Sequence, residues 1–245
     1  MSQVEKLYEG KAKILYSTDD PDILLTVYKD DATAFNAQKK GQIEGKGELN
    51  CQITAALYQW LATVGIPTHF IDCPQSDRMR VKAVTIIPVE VVVRNIAAGS
   101  LCRQTGLSEG KVLATPLVEY YYKSDELGDP LLTRDRIFLL NLVNPQRLEQ
   151  IENMARKINQ NLQTFFDLCD ITLVDFKLEF GLDRQQNLLL ADEISPDTCR
   201  LWDKNESDPH AKVMDKDRFR KDLGRVESAY REVQQRVLAQ LKKQL

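Results

Sequence analysis

Apolar residues recur along this chain with two different periods, and the switches between them divide it into elements. Between positions 174 and 180, Val174, Phe176, Leu178 and Phe180 alternate with Asp175, Lys177 and Glu179. That is the period-2 signature of a strand with one buried face, and it leaves the other face acidic, basic, acidic. The polar run Asp183-Arg184-Gln185-Gln186-Asn187 fits a turn, and residues 188–194 read as the returning strand of a hairpin. A two-residue loop at Gln185-Gln186 predicts Glu179 opposite Asp192. Directly opposed carboxylates destabilise a sheet unless a cation sits between them, so this pairing points to a divalent metal, and a slip of one residue would undo it. On local pattern alone, an exposed hairpin face with mutually compensating charges fits slightly better.

Upstream, short strand candidates at residues 12–16, 23–28, 69–72 and 79–84 alternate with turns. Helical spacing interrupts them once. Leu49, Ile53, Ala56, Leu57, Trp60, Leu61 and Val64 recur at three and four residues, and Gly65 with Pro67 ends the pattern, which predicts a helix over 48–64. Residues 86–94 form an apolar strand candidate that runs through Pro88. No flexible linker precedes it, so a boundary near residue 85 would be a cleft between packed lobes. The lobes would be a β-rich one at 1–85 and a mixed one at 86–245, an α+β class. Asn144-Pro145 offers an N-cap and a proline at the first helical position. The helix behind it shows Leu148, Ile151, Met154 or Ala155, Ile158, Leu162 and Phe165 on one face. A final helix over 217–243 carries Phe219, Leu223, Val226, Tyr230, Val233, Val237 and Leu241. Such a stripe more often docks on its own domain than forms a homodimer coiled coil.

Composition narrows the class. The 245 residues are 43% hydrophobic and 28% charged, which is ordinary for a globular chain. Lys+Arg 33 against Asp+Glu 36 gives a net charge of −3. Nucleic-acid binding usually shows as a basic excess or stripe, so no nucleic-acid partner is expected, while local pockets for small anions stay open. The five cysteines are scattered, with no CxxC pair and only His69 and His210 to accompany them. A structural zinc site is not expected, and each cysteine reads as a small buried hydrophobe. No apolar signal core follows Met1, and no run approaches the roughly 18 apolar residues that span a bilayer. The expected setting is a reducing cytoplasm, away from membranes.

Three segments carry candidate chemistry. Tyr8-Glu9-Gly10-Lys11-Ala12-Lys13 could direct backbone amides and two ammonium groups at a nucleotide's phosphates, although a solvated basic turn fits so short a match better. The glycines of Gly41-Gln42-Ile43-Glu44-Gly45-Lys46-Gly47 allow a loop that closes on a ligand, or a plain mobile connection. In Arg94-Asn95-Ile96-Ala97-Ala98-Gly99-Ser100 a strand delivers an arginine, small residues permit close backbone approach, and Ser100 can cap a short helix through Cys102 and Arg103. An arginine fork, a hydroxyl and helix amides together suit a phosphate monoester. A tight turn with Arg94 in a structural ion pair fits equally. Arg200, after Ser195-Pro196-Asp197, could bring a second arginine to the same anion.

Taken together, these segments resemble the SAICAR synthetase family, the phosphoribosylaminoimidazole-succinocarboxamide synthases of purine biosynthesis. The resemblance runs from Leu7 to about Gly224. It includes Thr33-Ala34-Phe35-Asn36, Gly45-Lys46-Gly47, the stretch from Val89 through Ser100, Asp175-Phe176-Lys177-Leu178-Glu179-Phe180-Gly181, Asp192-Glu193-Ile194-Ser195-Pro196-Asp197 through Arg200-Leu201-Trp202-Asp203, and Asp215-Lys216-Asp217-Arg218-Phe219-Arg220. It implies a two-lobed fold related to ATP-grasp enzymes, with ATP between the lobes. It also implies an ATP-dependent ligase that joins L-aspartate to the carboxylate of carboxyaminoimidazole ribonucleotide (CAIR) through an acyl phosphate, releasing ADP and phosphate. Carried over residue by residue, it sets Lys11 and Lys13 on ATP phosphates, Glu179 and Asp192 on Mg²⁺, and Lys177 on the transferring phosphoryl group. Arg94, Ser100 and Arg200 would take the ribonucleotide 5′-phosphate, and Lys216 and Arg220 other substrate anions. Asp129 would serve the imidazole side or a second metal. After Asp129-Pro130 the chain departs from the family pattern with Leu131-Leu132-Thr133-Arg134-Asp135, which leaves the role of 131–135 open. A small-molecule kinase using the same cleft is the alternative, although the chain lacks a G-x-G-x-x-G cover loop and an H-R-D loop. A non-catalytic nucleotide-binding module is the second rival.

Overall fold

The computed structural model describes residues 5–34 and 39–244; Phe35 and Asn36 lie outside them. Strands β1 (Lys6–Glu9), β2 (Lys13–Ser17) and β3 (Ile23–Tyr28) are followed by a small hairpin of β4 (Asp31–Ala34) and β5 (Lys39–Gln42). Helix α1 (Lys46–Thr63), β6 (Phe70–Gln75) and β7 (Arg78–Lys82) come next. The first sheet is antiparallel with order β1-β2-β3-β7-β6, which leaves β6 at an edge. Strand β3 spans the predicted residues 23–28. Helix α1 starts two residues before the expected position 48, because Lys46 is itself buried, with its ammonium 2.7 Å from Asp197.

The second sheet is built around one long strand. Strands β8 (Thr85–Ile86) and β9 (Val89–Ile96), helix α2 (Ser100–Thr105), and strands β10 (Val112–Tyr122) and β11 (Leu131–Leu132) precede helices α3 (Arg134–Leu139) and α4 (Pro145–Asp167). Then come β12 (Ile171–Leu182), β13 (Leu188–Ala191), β14 (Cys199–Asp203), α5 (Asp217–Arg220) and α6 (Val226–Gln244). The order is β11-β10-β9-β12-β13, and β12 also pairs with β14 and β8. Proline has no N–H to give a ladder, and Pro88 splits the expected strand 86–94 into β8 and β9. Asn144 caps α4 as predicted, its side chain accepting from the Arg147 amide at 2.8 Å. The buried face of α4, with Leu148, Ile151, Ala155, Ile158, Leu162 and Phe165, shares one core with Phe176, Leu178 and Phe180 of β12. Ile53, Leu57 and Leu61 of α1 enter that same core.

Two expectations fail here for backbone reasons. The hairpin register is off by one, since Glu179 faces Ala191 and not Asp192. The loop has three residues, 184–186, closed by a bond from the Gln186 amide to the Asp183 carbonyl, and Gln186 sits at φ 64. This is the turn-plus-left-handed-residue form of a hairpin loop. The expected helix over 217–243 is two helices, α5 and α6, because Asp222, Gly224 and Arg225 all adopt positive φ between them. The α6 stripe of Tyr230, Val233, Val237 and Leu241 is buried within its own chain, and Gln234 donates across to Gln52 of α1 at 2.6 Å. Among the described residues, no helix is long and apolar enough to cross a membrane.

Candidate active site

A cleft of about 1060 Å³ lies between the two sheets, and strand register sets its floor. β9 runs between β10 and β12, pairing Arg94 with Leu117 and Asp175, and Val92 with Glu119 and Lys177. Side chains alternate along a strand. Glu90, Val92 and Arg94 therefore share a face with Glu119 and Tyr121 on one side and with Asp175, Lys177 and Glu179 on the other. The charged face of β12 is turned to the cleft and not to solvent, with Asp175 and Glu179 buried. Across from it, Leu15, Leu24, Thr26 and Val81 of the first sheet supply a largely apolar wall.

Lysines dominate one end. Lys177 Nζ reaches Glu90 at 3.0 Å, Asp192 at 3.7 Å and Glu179. Lys123 meets Glu179 at 2.8 Å. Lys13, arriving from β2, touches Asp192 and lies 3.0 Å from Glu193. Burial alone would lower the Lys177 pKa, but the Glu179, Asp192 and Glu90 carboxylates outweigh it and hold the ammonium well above the ordinary lysine range. Burial would likewise raise Asp192, yet Lys13 and Lys177 keep it below the usual carboxylate range. Although Asp192 does not face Glu179 across the ladder, its φ of 62 at the end of β13 brings its carboxylate to Lys13 and Lys177. His69 lies in the same wall, where burial and then the charge of Lys13 depress its pKa to about 4. It is therefore a neutral imidazole at physiological pH.

Arginines dominate the other end. Arg94 is 3% exposed, and it donates to Glu119 at 2.6 Å, Asp175 at 2.9 Å, Ser100 at 2.9 Å and Tyr121 at 3.2 Å. Arg200 donates to Asp175 at 2.9 Å and to Asp217 at 3.1 Å, and Arg220 to Asp217 at 2.7 Å. Gly99 permits this convergence. At φ +56, a Cβ there would lie 2.7 Å from the Arg200 Cζ, and few side chains tolerate that φ. Ser100 is the first residue of α2 and does not cap it; the cap position is Gly99, without a side-chain bond, and the Ser100 hydroxyl accepts from Arg94 instead.

Lys11, Lys13, Arg94, Ser100, Asp129, Lys177, Glu179, Asp192, Arg200, Lys216 and Arg220 all line this one cleft. Lys11 crosses it to Asp125 at 2.7 Å. Asp129 turns its carboxylate to the Ser124 amide at 2.9 Å, closing a local loop. Lys216 lies 3.8 Å from Asp197, and burial lowers its pKa. Sequence reasoning missed Glu90, Lys123, Glu193 and the buried Asp197, which also accepts from Tyr230 at 2.7 Å. The alternation of Glu90, Val92 and Arg94 on β9 was the available signal for Glu90. No cluster of three or more metal-ligating side chains occurs among the described residues. Glu179 and Asp192 still fit Mg²⁺, a hard cation commonly bound through one or two carboxylates together with waters and substrate phosphates.

Fold and site together define an α+β enzyme that handles anions in a cleft between two lobes. The sequence matches the SAICAR synthetase family model over residues 6–237, and the chain belongs to that family. It is 68% identical over 240 residues to the phosphoribosylaminoimidazole-succinocarboxamide synthase of Synechocystis sp., covering 98% of this chain and 91% of that protein. The crystal structure of the corresponding synthase from Ehrlichia chaffeensis aligns with a TM-score of 0.92 at 45% identity, covering 96% of this chain and 99% of that one. A SAICAR synthetase (type 2) in complex with ADP aligns with a TM-score of 0.89 at 44% identity, covering 94% and 96% of the two chains. The expected two-lobed α+β architecture is thus the family's own.

Proposed function

We propose that the cleft performs the family's ATP-dependent ligation, joining L-aspartate to the carboxylate of CAIR with release of ADP and phosphate. One observation carries the assignment of parts: Lys13, Lys123 and Lys177 converge on Glu90, Glu179, Asp192 and Glu193 at one end of the cleft. Phosphoryl transfer to a carboxylate brings anions together, and fixed positive groups aimed at that charge are usually the largest catalytic factor. In this reading the apolar wall receives the adenine, Lys11 and Lys13 hold phosphates, and Lys177 follows the transferring group. Glu179 and Asp192 would hold Mg²⁺, which offsets phosphate charge when bound. Lysines now paired with those carboxylates exchange them for phosphate oxygens as the nucleotide enters.

Arg94, Ser100 and Arg200 would take the ribonucleotide phosphate at the far end, with Lys216 and Arg220 beside the other substrate anions and Asp129 toward the imidazole side. A CAIR carboxylate oxygen displaces ADP from the γ-phosphorus. The aspartate amine, after losing a proton, then attacks the acyl carbon and phosphate leaves. Positioning by the two ends does the protein's part of this work. The division into lobes at 1–85 and 86–245 belongs to the same reading, and so does a cytoplasmic location, since CAIR, ATP and aspartate are charged, water-soluble metabolites. Any homodimer would use surfaces other than the buried stripe of α6.

The test supplies CAIR, L-aspartate, ATP and Mg²⁺ and omits each in turn while product and ADP are followed. ADP release is expected to require aspartate, which separates a ligase from a small-molecule kinase. Product without aspartate, or turnover undiminished by EDTA, would overturn the reading.

A further inference from the structure

The expectation that all five cysteines are buried fails at Cys73, which is exposed, and at Cys102, which is half-buried. Cys73 lies on the edge strand β6, where the pairing shifts between Asp72↔Arg80 and Gln75↔Arg78. The shift leaves one extra residue on the β6 side, a bulge, and Pro74 falls inside it. Proline is tolerated at edges and bulges, and bulges re-aim side chains. The Cys73 sulfur sits 3.9 Å from that of Cys51. Cys51 is fully buried on α1, in a small core with Tyr28, Ala55, Met79 and Val81. The two thiols thus come from different elements, one open to solvent and one behind it.

We propose that Cys51 and Cys73 form a reversible dithiol–disulfide site, oxidised by a hydroperoxide, with Cys73 as the attacking sulfur and Cys51 as the resolving one. Exposure makes Cys73 the reachable thiol. The contact from Cys51 favours ionisation at Cys73, whereas the contact with Cys73, followed by burial, keeps the proton on Cys51. The Cys73 thiolate attacks a peroxide oxygen, the O–O bond breaks, and hydroxide leaves, giving a sulfenic acid. The Cys51 thiol gives its proton to that hydroxide. Its sulfur then attacks the Cys73 sulfur, the S–O bond breaks, and the departing oxygen takes up a proton to leave as water. Two thiols and one hydrogen peroxide yield one disulfide and two waters. Closing the bond to about 2.05 Å draws the bulge of β6 onto α1. The site is independent of the ligase reading.

In the test, full-length protein is reduced, freed of reductant and treated with hydrogen peroxide. Intact mass is expected to fall by about 2 Da, the two hydrogens of a disulfide, and alkylatable thiols to drop from five to three. Peptide mapping should find one linkage, Cys51 to Cys73, that dithiothreitol reverses. Cys73→Ser, at an exposed position, should abolish the mass loss, and Cys102→Ser should leave it intact. Survival of all five thiols, a bridge to another cysteine or between two chains, or overoxidation of Cys73 without a bridge would each overturn the proposal.

Discussion

At one end of the cleft the cations are lysines shared among carboxylates, Lys13 between two and Lys177 among three. At the other they are arginines whose N–H groups go to separate fixed partners, Arg94 alone serving Glu119, Asp175, Ser100 and Tyr121. An ammonium is a point charge with rotatable donors, whereas a guanidinium is a rigid directional fork. The lysine end can therefore trade partners as charge moves through it. The arginine end is already shaped before any ligand arrives, and a shaped end suits a group that is held without reacting.

Removing one charge from the adaptable end should have the largest effect. Asp192→Asn is expected to lower kcat by ~10²–10³-fold, the scale for losing one preorganised electrostatic group, with ADP release in the complete mixture as the assay. A much smaller loss would separate Asp192 from the phosphoryl centre. At the shaped end, Arg94→Ala leaves Glu119 without its cation and Asp175 with Arg200 alone, and should cost no more than about 3 kcal/mol in denaturant unfolding. It should also raise the KM for the ribonucleotide more than that for ATP; an equal rise would count against Arg94 as the anion clamp.

The pH response sharpens the contrast. Burial, followed by the charge of Asp217, raises Asp215 behind the arginine end to about 7. Between its ordinary value of 3.8 and 7 the folded state holds more protons than the unfolded one, so this group's contribution is complete below pH 4 and is lost as pH rises through 7. His69 at the lysine end has the opposite slope: its contribution is present above pH 6.5 and is lost as pH falls toward 4. Asp215→Asn should flatten the neutral limb of a thermal-stability profile and leave the acidic limb in place. The smallest effect belongs to the exposed Lys11–Asp125 pair. Asp125→Ala should change stability by no more than about 1 kcal/mol, and a larger loss would make this cross-cleft contact a structural strut.

The parts legible in the sequence were those with local causes. The alternation of β12 gave three charges on one face, Asn144-Pro145 gave the start of α4, and the family-like segments named residues that do share one cleft. The register of the hairpin was hidden because it depends on Gln186 adopting a positive φ, which no local signal demands of a glutamine. The break between α5 and α6 was hidden because the apolar stripe runs on through Leu223 and Val226, while Asp222 and Arg225 take a positive φ that their residue types do not demand. Lys46 and Asp197 are 151 positions apart, and no spacing rule reaches across such a separation.

The grip on Asp197 also bears on how the chain comes together. That carboxylate is held by Lys46 from the start of α1 and by Tyr230 from α6, and α6 packs along α1. Contacts between segments so distant in the chain slow folding, since a long loop must close before any of them forms. On the ribosome, α1 emerges well before its partner helix and waits with one apolar face uncovered. The cleft would then be among the features finished late, and a nascent chain stalled before Val226 would have both sheets in sequence yet lack the Tyr230 contact on Asp197.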